Sequence, residues 1–208
     1  MILCDIGNST FHFLIEGKEQ KYFLHENLPE LKKRIYFISV NEKATAKLLS
    51  QYPTAINLEQ YMKFETTYVG MGIDRKVACV GCENGVIVDA GSAITVDIME
   101  DGVHKGGFIL PGIKNFREIY PQISPKLDFD FSIKLNLDKI PQNTKDAISY
   151  SILKAIILPI QEIAHNKKLF FTGGDGEFLS SFFPDSSFKK DIIFENMKGI
   201  INANSCIA

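Results

Sequence analysis

The sequence lacks the gross features that point to a membrane, secreted or nucleic-acid-binding protein. Its 208 residues carry a formal net charge of -2, which provides no electrostatic attraction to nucleic acid or to an anionic membrane. The longest apolar run, AIILPI at 155–160, is far shorter than the roughly 18 residues of a membrane span. The N-terminus has no signal-peptide pattern. We therefore expect a cytoplasmic protein with neither a nucleic-acid nor a membrane partner.

Cysteine and histidine are also few, and they do not form the set of several spaced residues that a metal site or a disulfide framework requires. The four cysteines lie mostly within apolar patterns, and the four histidines are scattered. One pair, CVGC at 79–82, has the spacing of a zinc or redox motif, but it lacks a second pair or a nearby histidine cluster. The alternative, which the usual burial of cysteine favours, is a buried structural role in a helix.

The two commonest nucleotide-binding motifs are absent as well. No G-x-x-x-x-G-K-[ST] occurs and no G-x-G-x-x-G follows a strand, which excludes a P-loop and a dinucleotide fingerprint. What the sequence has instead is two similar stretches, CDIGNST at 4–10 and VDAGSAIT at 88–95. Each ends an apolar run on Asp, turns at Gly and continues with small polar residues.

These two stretches indicate an internal repeat. The interval is 84 residues from Asp5 to Asp89 and again from Gly7 to Gly91. Each predicts a strand and a turn whose backbone N–H groups can face phosphate oxygens while Asp holds the accompanying magnesium. A single copy would favour an ordinary hairpin capped by Asp and Gly. Two copies predict two similar lobes that clamp a nucleotide.

The rest of the chain alternates strands and helices, so the predicted fold class is α/β. We expect an N-terminal lobe over 1–63 and a C-terminal lobe over 64–208. The first contains three strands, a short helix at LPELKKR, a strand at IYFISV and a helix at EKATAKLLSQY. The second contains a helix at GIDRKVACVGCE, strands over 86–110, a long helix over 143–167, a strand at KLFFTGG and a helix at EFLSSFF. Pro159 is expected to kink the long helix.

Five motifs occur in an order that resembles type III pantothenate kinases. They are DIGNS at 5–9, GIDR at 72–75, DAGSAITVD at 89–97, GGFILPG at 106–112 and TGG at 172–174. The family belongs to the actin, hexokinase and acetate-kinase superfamily. The resemblance implies two ribonuclease-H-like lobes, built from a duplicated β-hairpin and strand with helices, and an ATP cleft between them. It also implies ATP-dependent phosphorylation of pantothenate, the first step of coenzyme A biosynthesis, by a homodimer.

The resemblance further implies a role for each matching residue. ATP would be bound by Ser92 and by a first phosphate loop consisting of Asp5, Ile6, Gly7, Asn8, Ser9, Thr10, Phe11 and His12. Asp5 would lie near magnesium, Asp89 would hold a monovalent cation, K⁺ or NH₄⁺, and TGG would lie near the adenosine. Pantothenate would be bound by Tyr68, Gly72, Ile73, Asp74, Arg75 and Thr144.

A catalytic role for Asp74 also agrees with the chemistry of phosphoryl transfer. The reaction needs positioning, charge neutralisation and a carboxylate near the attacking hydroxyl, whose proton Asp74 would accept. Without the resemblance, Asp74 would be interpreted as a helix N-cap, and Thr144 has the same alternative. Two other functions stay open at this point: a different small-molecule kinase of the superfamily, and a nucleotide-sensing regulator without catalysis.

Overall fold

The computed structural model describes residues 1–204, 206 and 207, and these residues form an α/β fold. The strands are β1 (Ile2–Ile6), β2 (Thr10–Ile15), β3 (Lys18–Phe23), β4 (Ile35–Ser39), β5 (Ile56–Asn57), β6 (Gly85–Ala90), β7 (Ala93–Glu100), β8 (Val103–Pro111), β9 (Leu169–Thr172) and β10 (Ser186–Phe188). The helices are α1 (Glu42–Gln51), α2 (Ile73–Cys79), α3 (Ile113–Ile123), α4 (Thr144–Ile163), α5 (Gly176–Ser180) and α6 (Ile192–Ala203). Short 3-10 turns occupy Leu58–Tyr61 and Pro125–Leu127.

The strands form two five-stranded sheets with the same order. The first runs β3-β2-β1-β4-β5 and the second β8-β7-β6-β9-β10. In both sheets the first three strands pair in antiparallel fashion with one another. The last two strands extend the sheet by parallel pairing, beginning at the third strand. The α/β fold class is confirmed, and the repeat predicted from Asp5 and Asp89 extends to the order of every strand in the sheets.

The chain divides into two compact units at boundaries that differ from the predicted division at residue 64. The first unit combines Met1–Gly81 with Asp191–Ala208, and the second is Cys82–Lys190. Residues 64–81 and the C-terminal segment therefore group with the N-terminal sheet. The physical reason is burial, because α2 and α6 place Val77, Met197 and Ile201 in a common apolar cluster with Leu3 of β1.

The sheet of the first unit has an apolar cluster on each face, as the alternation of side chains along a strand requires. Leu3 faces the α2 and α6 side, while Ile2 and Cys4 face the α1 side with Leu48. Burial raises the pKa of the Cys4 thiol, and the nearby Asp5 charge adds to this effect. Cys79 is buried at the end of α2, as the structural alternative for the CVGC pair expects, whereas Cys82 lies beyond the helix and is only half-buried.

One helix predicted in this unit is wrong. LPELKKR has no helical structure and runs as an irregular connection from β3 to β4. Leu28 is buried in the cluster on the α1 side, and Leu31 packs against it. The three consecutive basic residues that follow offer no apolar face that a helix could bury.

The core of the second unit lies between its sheet and α4. Val88 of β6 and Val96 of β7 share a cluster with Leu153 and Ile156 of the helix. The long helix is confirmed, with Pro159 inside it. Its 20 residues make it the longest helix in the described part of the chain, and no described helix is both long and apolar enough to cross a membrane.

Candidate active site

The first predicted phosphate loop is the turn between β1 and β2. Asp5 lies next to the end of β1, and the Gly7 N–H donates to the Thr10 carbonyl at 3.0 Å, which closes the turn. Asn8 at the tip of the turn is exposed. Ile6 and Phe11 are completely buried, so only their backbone groups can face a phosphate.

His12 lies on the strand after this turn and directly opposite Asp5 in the antiparallel pair. Its Nε2 is 2.9 Å from Oε2 of Glu19, and its ring makes an edge contact with Phe194 at 4.8 Å between centroids. The side chain of His12 is thus positioned from β3 and α6. Sequence reasoning missed Glu19, which belongs to none of the five motifs.

The GIDR motif forms the start of α2. Gly72 occupies the N-cap position and Asp74 is the second helical residue, so the interpretation of Asp74 as the N-cap is wrong. The Asp74 Oδ1 accepts the Arg75 N–H at 2.8 Å, a bond that holds a half-buried carboxylate in the first turn, where the helix dipole favours negative charge. A Cβ atom on Gly72 would lie 2.5 Å from the same Oδ1.

Two further residues predicted to bind substrate meet beside this turn. The Arg75 guanidinium lies over the Tyr68 ring with Cζ 4.7 Å from the centroid, and Arg75 is only 5% exposed. The Tyr68 N–H donates to the Thr66 hydroxyl at 3.0 Å, which fixes the backbone before the ring. Ile73 is buried, so its contribution to a ligand would come from the backbone.

The second predicted loop, in the second unit, follows β6. Asp89 is paired with Thr95 on the antiparallel neighbour and with Thr172 on the parallel one, so a carboxylate lies between two hydroxyl residues on one sheet face. Such an all-oxygen set suits a hard cation. Among the described residues no group of three or more His, Cys, Asp and Glu side chains could hold a metal ion. A cation at Asp5 or Asp89 would therefore need backbone, hydroxyl or substrate oxygens as additional ligands.

Two other motifs close around this loop. The Ser92 carbonyl accepts the Gly112 N–H and the Asn115 side-chain amide, each at 2.8 Å, so the end of GGFILPG holds the turn. The Ala90 carbonyl accepts the Asp175 N–H at 2.9 Å, which ties the turn after TGG to the same strand end. Partial burial raises the pKa of the Asp175 carboxyl.

Gly173 of TGG approaches this strand end closely. Its φ is +84°, and an added Cβ would lie 2.5 Å from both the Ala90 carbonyl and the Asp89 Oδ1. Sequence reasoning placed TGG, which includes Thr172, near a ligand but did not identify Asn115 or Asp175. The only feature of the sequence that pointed to them was their position shortly after a motif. Their proximity to Asp89 follows from the strand order, which the sequence does not give.

Thr144 lies in the second unit as the exposed first residue of α4. It does not cap the helix, so that alternative is wrong. Asn143 is the N-cap, and its Oδ1 accepts the Asp146 N–H at 2.9 Å. The Thr144 hydroxyl therefore has no capping task that would explain its presence.

Comparison with known proteins identifies the family. A family model described as type III pantothenate kinase matches residues 38–166. A type III pantothenate kinase from Helicobacter hepaticus is 46% identical over 97% of this chain and 98% of its own length. Another from Campylobacter jejuni is 49% identical over 98% of each chain. This chain belongs to the type III pantothenate kinase family.

Solved structures agree with the fold of a type III pantothenate kinase. One from Campylobacter jejuni, described as a Baf family transcriptional activator, has a TM-score of 0.89 and 46% identity and covers 99% of this chain and 100% of its own. A protein from Sinorhizobium meliloti described as a 2-dehydro-3-deoxygalactonokinase has a TM-score of 0.57 at 8% identity, over 97% of this chain and 98% of its own. This second likeness concerns the fold alone.

Proposed function

We propose that this chain phosphorylates pantothenate with ATP to give 4'-phosphopantothenate, the first step of coenzyme A biosynthesis. The observation that carries the proposal is the 46% to 49% identity with type III pantothenate kinases over nearly the whole chain. The positions of the motifs support it, because they fall at the ends of β1, β6, β8 and β9 and at the start of α2. Loops at strand ends are where an α/β sheet positions ligands.

ATP binding is assigned to the two turns that follow Asp5 and Asp89. Residues 5–12 would present backbone N–H groups to the phosphates, and Ser92 would add a contact from the second turn. Asp5 would lie near magnesium, bound through water and phosphate oxygens, as is usual for this ion in kinases. Asp89 would hold K⁺ or NH₄⁺ together with neighbouring oxygens.

Pantothenate binding is assigned to Tyr68, Gly72, Ile73, Asp74, Arg75 and Thr144. The oxygen of the substrate hydroxyl would form a bond to the γ-phosphorus of ATP while Asp74 accepts the hydroxyl proton. ADP would leave with the electrons of the broken bond between the γ-phosphorus and the bridging oxygen. The buried Arg75, stacked on Tyr68, holds positive charge beside this carboxylate and can orient an anionic substrate.

The proposal is tested by measuring ADP release by the purified protein with MgATP and, in turn, pantothenate, pantetheine and several sugars. Pantothenate should be the preferred acceptor, and mass spectrometry should detect 4'-phosphopantothenate. In Asp74→Asn the kcat should fall by about 10²- to 10⁴-fold with ATP binding retained. Preference for a sugar would instead support another kinase of the superfamily.

A regulator is the second candidate, favoured by the description of the similar Campylobacter jejuni structure as a transcriptional activator. The net charge of -2 is unfavourable for DNA binding. A gel-shift or anisotropy titration with double-stranded DNA at low salt should give only weak binding that is lost as salt rises. Tight, salt-resistant binding without pantothenate turnover would favour the regulator.

We also propose that the enzyme is a cytoplasmic homodimer, as the family resemblance implies. ATP, its phosphoryl donor, is abundant in the cytoplasm. The mass of the purified protein in solution tests the dimer, and cell fractionation tests the location.

A further inference from the structure

We propose that Glu19 is a positioning residue for MgATP binding, which acts through His12 on the Asp5 phosphate loop. The inference rests on the proposed function, since it assumes that ATP is the ligand of that loop. Glu19 lies on β3, two strands away from Asp5, and outside every motif of the sequence. Only the sheet register relates it to the loop.

Three polar side chains are neighbours on one face of the first sheet. His12 is directly opposite Asp5 between β1 and β2, so their Cβ atoms should lie about 4.5–5.5 Å apart on one face. On β3 the residue directly opposite His12 is Lys21, and Glu19, two residues earlier on the same face, reaches Nε2 diagonally with its carboxylate at 2.9 Å. The contacts thus lead from Glu19 through His12 to Asp5.

The contacts of His12 restrict its ring from two sides. An ionised carboxylate only accepts hydrogen bonds, so the bond to Glu19 requires a proton on Nε2 and fixes that edge of the ring. Phe194 of α6 contacts the ring edge-on, with 69° between the planes. The side chains of His12 and Glu19 are 21% and 23% exposed, so water competes only partly for the bond. The orientation of the ring beside Asp5 therefore depends on Glu19.

Stability alone explains this pair poorly. The strands β2 and β3 are already joined by a six-residue ladder of paired residues. A partly exposed ion pair adds little to folding stability. Loss of the Glu19 carboxylate should therefore leave thermal stability nearly unchanged and alter the ligand site instead.

Glu19→Thr and Glu19→Gln test the inference with a matched control. Thr favours strands but is too short to reach Nε2, whereas Gln keeps an oxygen that can accept the bond. In Glu19→Thr we expect the KM for MgATP to rise about tenfold, by analogy with metal sites, where loss of an outer hydrogen-bond partner of a ligand costs about 10- to 100-fold. The pantothenate KM and the melting temperature should stay unchanged. Glu19→Gln should have a MgATP KM close to that of the wild type. Lys18→Thr on the same strand, at an exposed position opposite Ile15, is the control.

A double variant shows whether Glu19 acts through His12. In a His12→Leu background, Glu19→Thr should have no further effect on the MgATP KM. Independent effects, an unchanged KM in Glu19→Thr, or an equal rise in both KM values would overturn the inference. Turnover by the wild-type enzyme separates this outcome from failure of the proposed function, which would show as a lack of pantothenate phosphorylation in every variant.

Discussion

The carboxylate of Asp74 depends on its immediate neighbour, because the space beside it exists only while residue 72 lacks a side chain. Gly72 has ordinary dihedral angles, so alanine would be tolerated by the backbone, but its Cβ would lie 2.5 Å from Oδ1 of Asp74. The carboxylate would have to move. Since a displacement of about 1 Å in a catalytic group can cost 10²-fold in rate, Gly72→Ala should lower kcat by about 10- to 100-fold at unchanged melting temperature.

Gly199→Ala is the control for this prediction. Gly199 lies in α6, and nothing approaches its hypothetical Cβ within 4 Å. Steady-state kinetics and thermal denaturation of both variants provide the comparison. A Gly72→Ala enzyme with wild-type kcat would mean that the observed position of the Asp74 carboxylate is irrelevant to catalysis.

Asp89 lies on the same sheet face as two threonines, which suits a monovalent cation. Asp89→Asn keeps the shape and removes the charge, so stimulation by K⁺ or NH₄⁺ should be lost while the requirement for Mg²⁺ stays. Rates measured in chloride salts of K⁺, NH₄⁺ and Na⁺ at constant ionic strength check this. A wild-type enzyme indifferent to all three ions would contradict the assigned role of Asp89.

At the scale of the element, two adjacent residues at the start of α4 have different roles, one in helix capping and one in the proposed substrate binding. Asn143 caps the helix through Asp146, whereas Thr144 is an exposed first-turn residue. Asn143→Ala should therefore destabilise the protein by about 1 kcal/mol with little change in pantothenate KM. Thr144→Ala should raise the pantothenate KM at unchanged stability and unchanged ATP KM. If Thr144→Ala changes neither quantity, pantothenate does not contact its hydroxyl.

The turn after β9 allows a second matched comparison. Gly173 has φ +84° and no room for a Cβ, whereas Gly174 has nothing within 4 Å. The dihedral angle alone should cost Gly173→Ala about 1–2 kcal/mol, and contact with Asp89 should also impair turnover. Gly174→Ala should behave like wild type in chemical denaturation and in kinetics. Equal stability of the two variants would show that this turn can accommodate a side chain at residue 173.

What the sequence could predict differs between elements. The hairpin turns were predictable because Asp and Gly mark them locally, and α4 was predictable from its long apolar period. Helix α6 was missed, although Phe194, Met197 and Ile201 follow a helical spacing. The grouping of α2 and α6 with the first sheet was not predictable, since it depends on contacts between residues more than 100 positions apart, such as Asn196 with Val77. Glu19 was missed because its contact with His12, seven residues away, also depends on how the strands pair.

At the scale of the whole molecule, the proposed homodimer requires an exposed apolar surface. Leu158 of α4 is 53% exposed, on the long helix whose other face fills the core of the second unit. Light scattering after size exclusion should give twice the mass of one chain, and Leu158→Glu should shift the protein towards the monomer. Phe23→Glu, at a residue 56% exposed on β3, should not change the mass. A wild-type monomer would rule out the dimer.

The first unit is discontinuous, since the second is inserted between residues 81 and 191. On a ribosome, Cys82–Lys190 can fold as soon as it emerges, whereas the N-terminal sheet must wait for α6 before its second apolar cluster is covered. The earliest part of the nascent chain is thus the last to be completed. During synthesis, Leu3, Tyr36 and Ile38 lack the part of their cover that α6 provides and are available to chaperones. Loss of α6 should therefore leave a folded second unit attached to an unfolded N-terminal sheet, although all five sequence motifs are still present.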